Sequence, residues 1–207
     1  MSDSRPKAKE QRRFGEVLVP RPKYQRIVEK RPYPPGQHGR EQQYRRGRRS
    51  DYSRQLEEKQ KLAFIYNVRE RQMRRYFRQA IKQKGPTGEN LLRLLERRLD
   101  NLVYRAGFAA TIWAARQLVS HRHILVDGQR VNVPSYSVQP GQTIEVHPKM
   151  RKNVHVEQWI EETGAAPAYL DVDRENFIAT LKYDPSREEI PVPVEEQLIV
   201  EYYVRRV

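Results

Sequence analysis

The sequence predicts an α+β protein, with a basic N-terminal extended arm and helical domain and an inserted small helix-helix-hairpin domain. Apolar side chains recur every three or four residues through "ERQMRRYF" and "NLLRLLERRLDNLVY", the spacing of helices with one buried stripe. Asp127-Gly128 separates two short apolar segments, and this dipeptide favours a two-residue hairpin turn because both positions need a positive φ. Helices followed by a hairpin and by the strand pattern "TIEV" predict a compact α+β unit.

Charge restricts the classes of partner. The 207 residues carry a formal net charge of +14 and have a pI of about 10.1, which favours a polyanion such as nucleic acid. Residues 1–150 hold 33 Lys and Arg against 14 Asp and Glu, a net of +19, whereas residues 151–207 hold 7 against 12, a net of −5. The basic part should therefore face the polyanion, and the acidic part should face solvent or a basic protein.

Several function classes find no support in the composition. There is no cysteine, which excludes disulfides, zinc ribbons and thiol catalysis. A membrane surface is another polyanion that a basic protein could bind. No run of 18 apolar residues is present that could span a membrane, which weighs against this partner. The N-terminus has no apolar segment, so we expect no secretory signal. No phosphate-binding loop, serine-nucleophile elbow or His-Glu-x-x-His motif is present, so no enzyme is predicted.

Residues 1–49 are expected to form a basic extended arm. The stretch "EKRPYPPGQHGR" holds three prolines and two glycines, which oppose both helix and central strand. Four arginines follow in "YRRGRRSDYS", and we expect them to bind RNA: Arg45, Arg46, Arg48 and Arg49. A disordered tail is the alternative for the whole arm.

Residues 50–90 are predicted to form a helical region. Ser50 or Asp51 can cap a first helix, and a second covers about residues 68–84 with its buried stripe at Met73, Tyr76, Phe77, Ala80 and Ile81. The opposite face carries a row of cations that we expect to contact phosphates rather than only solvent: Arg71, Arg75, Arg78 and Lys82. Thr87 is predicted to cap the next helix.

Residues 91–157 are predicted to form a compact domain. One amphipathic helix should run from residue 91 until Gly107 ends it, and Thr111 should cap a shorter helix that reaches Ser120. The stretch "RRLD" resembles the Arg-Leu-Asp of pseudouridine synthases, whose aspartate attacks a base. It lies inside an amphipathic helix, so an Arg-Asp pair that ties the helix to its neighbours is preferred over catalysis.

His121 and His123 would share one face if the hairpin strand began that early, and two histidines on one face could bind a metal. Zinc requires three or four ligands, and the other histidines are scattered, so no metal is predicted. A contact from these histidines to RNA, or a capping role, is preferred.

Residues 158–207 form the acidic segment, which is expected to pack back through residues 170–207 onto the helical region at 50–90. Glu195 and Glu196 stand near the start of a predicted helix, where the helix dipole favours anions.

Ordered motifs over roughly residues 30–207 resemble the ribosomal protein S4 family of the small subunit, of the bacterial or organellar type. "LLERRLDNLVYRAGFA", "ARQLVSHRHILVDGQRVNVPSY" and "QPGQTIEV" look like its S4 RNA-binding domain. "PPGQHG", "SDYS", "EKQKL", "ERQMRRYF" and "EEQLIVEYY" match outside that domain. Some members hold zinc with N-terminal cysteines that this chain lacks, and Ile112 stands where the family often has arginine, so those contacts are not carried over.

The resemblance implies a structural component of the ribosome with no cofactor. Such proteins bind 16S rRNA directly at a junction of helices in its 5′ domain and nucleate assembly of the 30S body. They also touch ribosomal protein S5, line the channel through which mRNA enters, and affect translational accuracy. The expected location is the ribosome in the cytoplasm. A plastid ribosome stays open, because "TIWAARQ" resembles plastid and cyanobacterial members.

We therefore expect the hairpin to be a surface that grips folded RNA by shape and phosphate geometry. The turn and strands should present Arg122, His123, Asp127, Gln129, Arg130 and Asn132. The helical side should add Arg97, Thr111, Arg116 and Gln117. Glu195, Glu196 and Glu201 are expected to contact the neighbouring protein.

Two alternatives remain at this point. One is an RNA-binding chaperone, such as a rescue factor for stalled subunits, which carries the same small domain but lacks the "ERQMRRYF" helices. The other is the RNA-modifying enzyme considered above.

Overall fold

The computed structural model describes residues 7–44, 50–162 and 164–206, and it divides the chain into two compact units. The helical unit comprises residues 1–68 and 194–207, and the sheet unit comprises residues 69–193. In the described part of the chain, no helix has both the length and the apolar character needed to cross a bilayer.

The N-terminal segment is helical where an extended arm was expected. It forms α1 (Lys7–Phe14), α2 (Pro22–Lys30) and α3 (Gly39–Tyr44). The buried Gln11 side chain accepts a hydrogen bond from the backbone N–H of Val19 at 3.1 Å. Such side-chain bonds to backbone groups supply partners that proline- and glycine-rich turns lack, and they leave no trace in the hydrophobic period.

The rest of the helical unit follows the prediction. Helix α4 (Asp51–Ile65) begins where expected, because the Ser50 hydroxyl accepts from the Ser53 N–H at 3.3 Å. It packs against α11 (Glu196–Val204), which buries Ile199 and Tyr203. Residues 194–207 therefore belong to the same compact unit as α4.

The sheet unit opens with α5 (Glu70–Ile81) and α6 (Thr87–Glu96), which pack on each other. The expected helical region at 50–90 is therefore divided between the two units. On α5, Met73, Phe77 and Ala80 are buried as predicted, but Ile81 is 53% exposed because the helix ends there. Thr87 makes no capping bond, since Pro86 occupies the N-cap position.

The single helix expected from residue 91 to Gly107 is two helices, because α6 stops at Glu96 and α7 spans Leu99–Arg105. The chain leaves the helix because a distant loop provides other partners. The N–H groups of Leu99 and Asp100 donate to the carbonyls of Tyr136 and Pro134, at 2.9 and 3.1 Å. Periodicity cannot show this break, since both helices bury the same kind of leucine stripe.

Five antiparallel strands complete the unit in the spatial order β2-β1-β3-β5-β4. Their bounds are β1 Ile124–Val126, β2 Gln129–Arg130, β3 Thr143–Val146, β4 Leu170–Asp173 and β5 Ile178–Leu181. Helices α7 and α8 (Ile112–Ser120) and the sheet contribute to one apolar core. Residues 170–181, which were expected to pack on the helical region, lie in the sheet unit, where β5 pairs with β3 and extends the hairpin sheet.

Two short helices connect β3 to β4. These are α9 (Pro148–Arg151) and α10 (Val154–Glu162).

Candidate RNA-binding surface

The hairpin turn is built as predicted, but its aspartate is used internally. Asp127 and Gly128 both have positive φ, at 49° and 77°. The Asp127 carboxylate accepts from the Thr143 N–H at 2.9 Å, and this bond, together with one from the Gln142 amide, lowers the pKa of Asp127. Asp127 therefore fixes the turn against β3. Its carboxylate is engaged within the protein, although the sequence predicted that it would face RNA.

The two histidines of the hairpin entrance are not on a strand. β1 begins only at Ile124, His121 is the C-cap of α8, and Arg122 between them has a φ of 62°. Their rings lie 6.1 Å apart. Among the residues with a described structure, no three His, Cys, Asp or Glu side chains come together as a metal site.

The strands present a cationic edge. Arg122 and Arg130 are exposed, and Nη2 of Arg130 lies 2.6 Å from Nε2 of His147. Burial lowers the pKa of His123, and the charges of His121 and Arg130 lower it further. This edge thus favours neutral His123 in the free protein.

On the helical side, some of the predicted RNA-binding residues contact other residues of the chain, and others are exposed to solvent. The Thr111 hydroxyl caps α8 as predicted, accepting from the Ala114 N–H at 3.2 Å. Nη1 of Arg116 lies 3.8 Å from the buried Asp100 carboxylate, and burial lowers the pKa of Arg116. Gln117 and Asn132 are exposed, as is Gln129 of β2.

Arg97 is largely committed to its own chain. Its Nε donates to the Val138 carbonyl at 3.0 Å, its Nη2 bonds to the Gln139 side chain, and Nε lies 3.5 Å from the Asp184 carboxylate. Its side chain is only 14% exposed. It therefore anchors the loop that breaks the α6–α7 helix.

Helix α5 carries the expected row of cations on its solvent face. Arg71, Arg75, Arg78 and Lys82 are all exposed. Arg74 of the same helix differs from these four residues because it forms an ion pair, with its Nε 3.0 Å from Oε1 of Glu70. The row thus presents one sign of charge to solvent, which favours the approach of anions.

A buried ion pair lies beside Arg116, although its two members are not among the predicted RNA-binding residues. Arg98 donates to both carboxylate oxygens of Asp100, at 3.0 and 2.6 Å, and to the Tyr76 hydroxyl at 2.8 Å. The signal was visible in "RRLD", where a structural Arg-Asp pair was preferred over catalysis. Asp100 is fully buried, so its carboxylate cannot reach a base.

The acidic residues expected to contact a protein lie in the helical unit. Glu195 is exposed, and its backbone N–H donates to the Glu58 carboxylate at 3.0 Å. Glu196 is half-buried, and the exposed Glu201 accepts from the Gln55 amide at 2.9 Å. The arginines of the predicted arm cluster, Arg45, Arg46, Arg48 and Arg49, lie outside the described residues.

Comparisons with known proteins match most of this chain to one family. A family model described as Ribosomal protein S4/S9 N-terminal domain matches residues 3–96, and the S4 domain matches residues 97–144. A relative named small ribosomal subunit protein uS4 from Micrococcus luteus is 53% identical over 201 residues, covering 94% of this chain and 93% of its own. The protein of the same name from Rubrobacter xylanophilus is 47% identical over 200 residues and 97% of both chains.

Proposed function

Because the chain belongs to the ribosomal protein S4 family, and is thus a non-enzymatic structural constituent of the small ribosomal subunit, we propose that it binds 16S rRNA directly through its sheet unit. The observation that carries the proposal is the exposed, single-signed row on α5 together with the cationic edge at Arg122 and Arg130. Both lie in the unit that contains the S4 domain match.

Recognition on this surface should rely on phosphate geometry. Arginine and lysine neutralise phosphates and release counterions, while Gln117, Gln129 and Asn132 are exposed amides that can bond sugar and base edges. Thr111 and Arg116 sit at the start and within the length of α8, so they would border the same RNA. Folded RNA offers such a surface at helix junctions, where strands converge.

Finer roles follow as parts of the same proposal. Direct and early rRNA binding would nucleate assembly of the 30S body. The acidic residues Glu195, Glu196 and Glu201 would meet a basic neighbour, ribosomal protein S5, and thereby influence translational accuracy. The arginines between Tyr44 and Ser50 would face the channel through which mRNA enters. The ribosome concerned would be cytoplasmic, with a plastid ribosome as the other location.

The test measures affinity of the purified protein for deproteinised 16S rRNA by filter retention across salt. A protein with about 6–10 phosphate contacts should lose roughly 10³–10⁵ in affinity between 50 and 200 mM salt. Replacing Arg75 and Arg78 by alanine should weaken binding and reduce the slope, whereas replacing Arg74, which is paired with Glu70, should do less. A flat salt response by the wild-type protein would refute the proposal.

A further inference from the structure

A cleft between the first two helices of the helical unit has no role in the surface above. Its volume is about 540 Å³, within the range of small-ligand sites. Ala8 of α1, Ile27 of α2 and Pro35 of the following turn give it an apolar wall. The cleft therefore offers a patch where a flat apolar group can leave water.

Arg12 holds the cleft in shape. Its Nε donates to the Arg31 carbonyl at 3.1 Å and its Nη2 to the Tyr33 carbonyl at 3.0 Å. Its guanidinium also lies over the Tyr33 ring, 4.9 Å from the centroid. These contacts tie the turn after α2 back to α1, so the cleft is formed before any ligand arrives.

Three further cations line the same cleft: Lys9, Lys30 and Arg31. All three side chains are exposed, and none pairs with a carboxylate in the part of the chain whose structure is described. Among the residues whose structure is described, no acidic one lines the cleft. An apolar wall beside three available positive charges fits a ligand that is itself flat and apolar in one part and anionic in another.

We propose that this cleft binds one unstacked nucleotide of single-stranded rRNA, with its base against Ile27 and Pro35 and its flanking phosphates at Lys9, Lys30 and Arg31. The inference rests on the proposed rRNA binding and adds a second contact, in the other unit of the chain. A nucleotide uses the wall and the cations together, since a base has an apolar face and carries phosphates on both sides. An acidic protein segment would use the charges and leave the wall uncovered.

The experiment compares two triple variants of the full chain in filter binding to deproteinised 16S rRNA across salt. The cleft variant is Lys9→Ala, Lys30→Ala and Arg31→Ala. The matched control is Arg13→Ala, Lys23→Ala and Arg26→Ala, which removes the same charge from exposed positions that do not line the cleft. We expect the cleft variant to lose at least about tenfold in affinity and its salt slope to fall by about 2, while the control stays within about threefold of wild type.

Two additional measurements separate the wall from the charges. Ile27→Ala should reduce affinity about fivefold without changing the salt slope, because it removes apolar contact and no charge. In 16S rRNA containing 4-thiouridine, ultraviolet cross-linking followed by mass spectrometry should identify a peptide from residues 27–36. Circular dichroism of each variant checks that the helices are retained.

Each outcome is decisive. Equal losses in the two triple variants would mean diffuse attraction and no cleft site. Unchanged affinity in the cleft variant, with weakened binding by Arg122→Ala and Arg130→Ala, would refute the nucleotide site in the cleft and leave the proposed rRNA binding by the sheet unit standing. Displacement of rRNA from the wild type by polyglutamate, but not from the cleft variant, would assign the cleft to an acidic protein instead. Failure of the wild type to bind rRNA would refute the proposed function itself.

Discussion

Arg98 and Asp100 form a buried bidentate ion pair across the break between α6 and α7. The pair is tight, at 2.6 Å between Nη2 and Oδ2, and the two side chains are 1% and 0% exposed. Burial raises the pKa of Asp100, and the charges of Arg98 and Arg116 and the bond from the Asn101 N–H oppose this rise only in part. The pair thus holds a carboxylate at the base of the proposed RNA surface, where it reaches Arg116.

Removing one partner of this pair should destabilise the sheet unit. Asp100→Ala should lower the free energy of unfolding by about 3–5 kcal/mol, because Arg98 would remain buried without its counter-ion. Glu70→Ala is the control, since its exposed pair with Arg74 should contribute no more than about 0.5 kcal/mol. Urea denaturation measures both. Equal effects would show that burial of the pair does not matter.

Substitution of Arg97 should mainly lower stability, whereas substitution of Arg130 should mainly weaken RNA binding. Arg97→Ala removes hydrogen bonds to Val138 and Gln139 and should lower the free energy of unfolding by about 1–3 kcal/mol. Arg130→Ala should leave stability within about 0.5 kcal/mol and reduce the salt slope of rRNA binding by about 1. Thermal unfolding and filter binding test the pair. Large destabilisation by Arg130→Ala would contradict the assignment.

His123 should make rRNA binding depend on pH. In the free protein its pKa lies below the ordinary 6.5, because of burial and the nearby charges of His121 and Arg130. A bound phosphate would stabilise the imidazolium and raise that pKa, so binding takes up a proton and affinity rises as pH falls from 8 to 6. His123→Ala should flatten this dependence and weaken binding modestly at pH 6, as measured by filter retention.

The matched control for His123→Ala is His155→Ala, which lies outside the hairpin. Elemental analysis for zinc tests separately whether the histidines bind a metal. His155→Ala should keep the pH dependence. Stoichiometric zinc in the purified protein would overturn the reading of His121 and His123 as RNA-facing.

The acidic residues of the helical unit should affect accuracy and not rRNA affinity. Glu195→Lys with Glu196→Lys reverses two charges at the start of α11, so it should loosen a contact with a basic neighbour and raise stop-codon readthrough in cells. Glu157→Lys with Glu188→Lys reverses two exposed acids of the sheet unit and serves as the control. Lost rRNA affinity with unchanged readthrough would mean that the two ends are assigned the wrong way round.

The sequence by itself determined the α+β class, the capped starts of α4 and α8, the hairpin turn at Asp127-Gly128, the exposed cations of α5 and the family. These depend on short-range chemistry: a hydroxyl three residues before an N–H, a dipeptide that tolerates positive φ, a helical period, or ordered motifs. Each is local, so it can be read without knowing what lies opposite in the fold.

Only the tertiary structure decided the helical N-terminal segment, the break at Arg97 and Arg98, and the addition of residues 170–181 to the sheet. Each depends on a partner more than 20 residues away or on a side chain that bonds distant backbone, such as Arg12 on the Tyr33 carbonyl. Hydrophobic period does not encode such pairings, because backbone hydrogen-bonding groups are alike at every residue. The fold also decided which predicted RNA contacts are available, since it commits Arg97 and Asp127 to internal bonds and leaves Arg122 and Arg130 exposed.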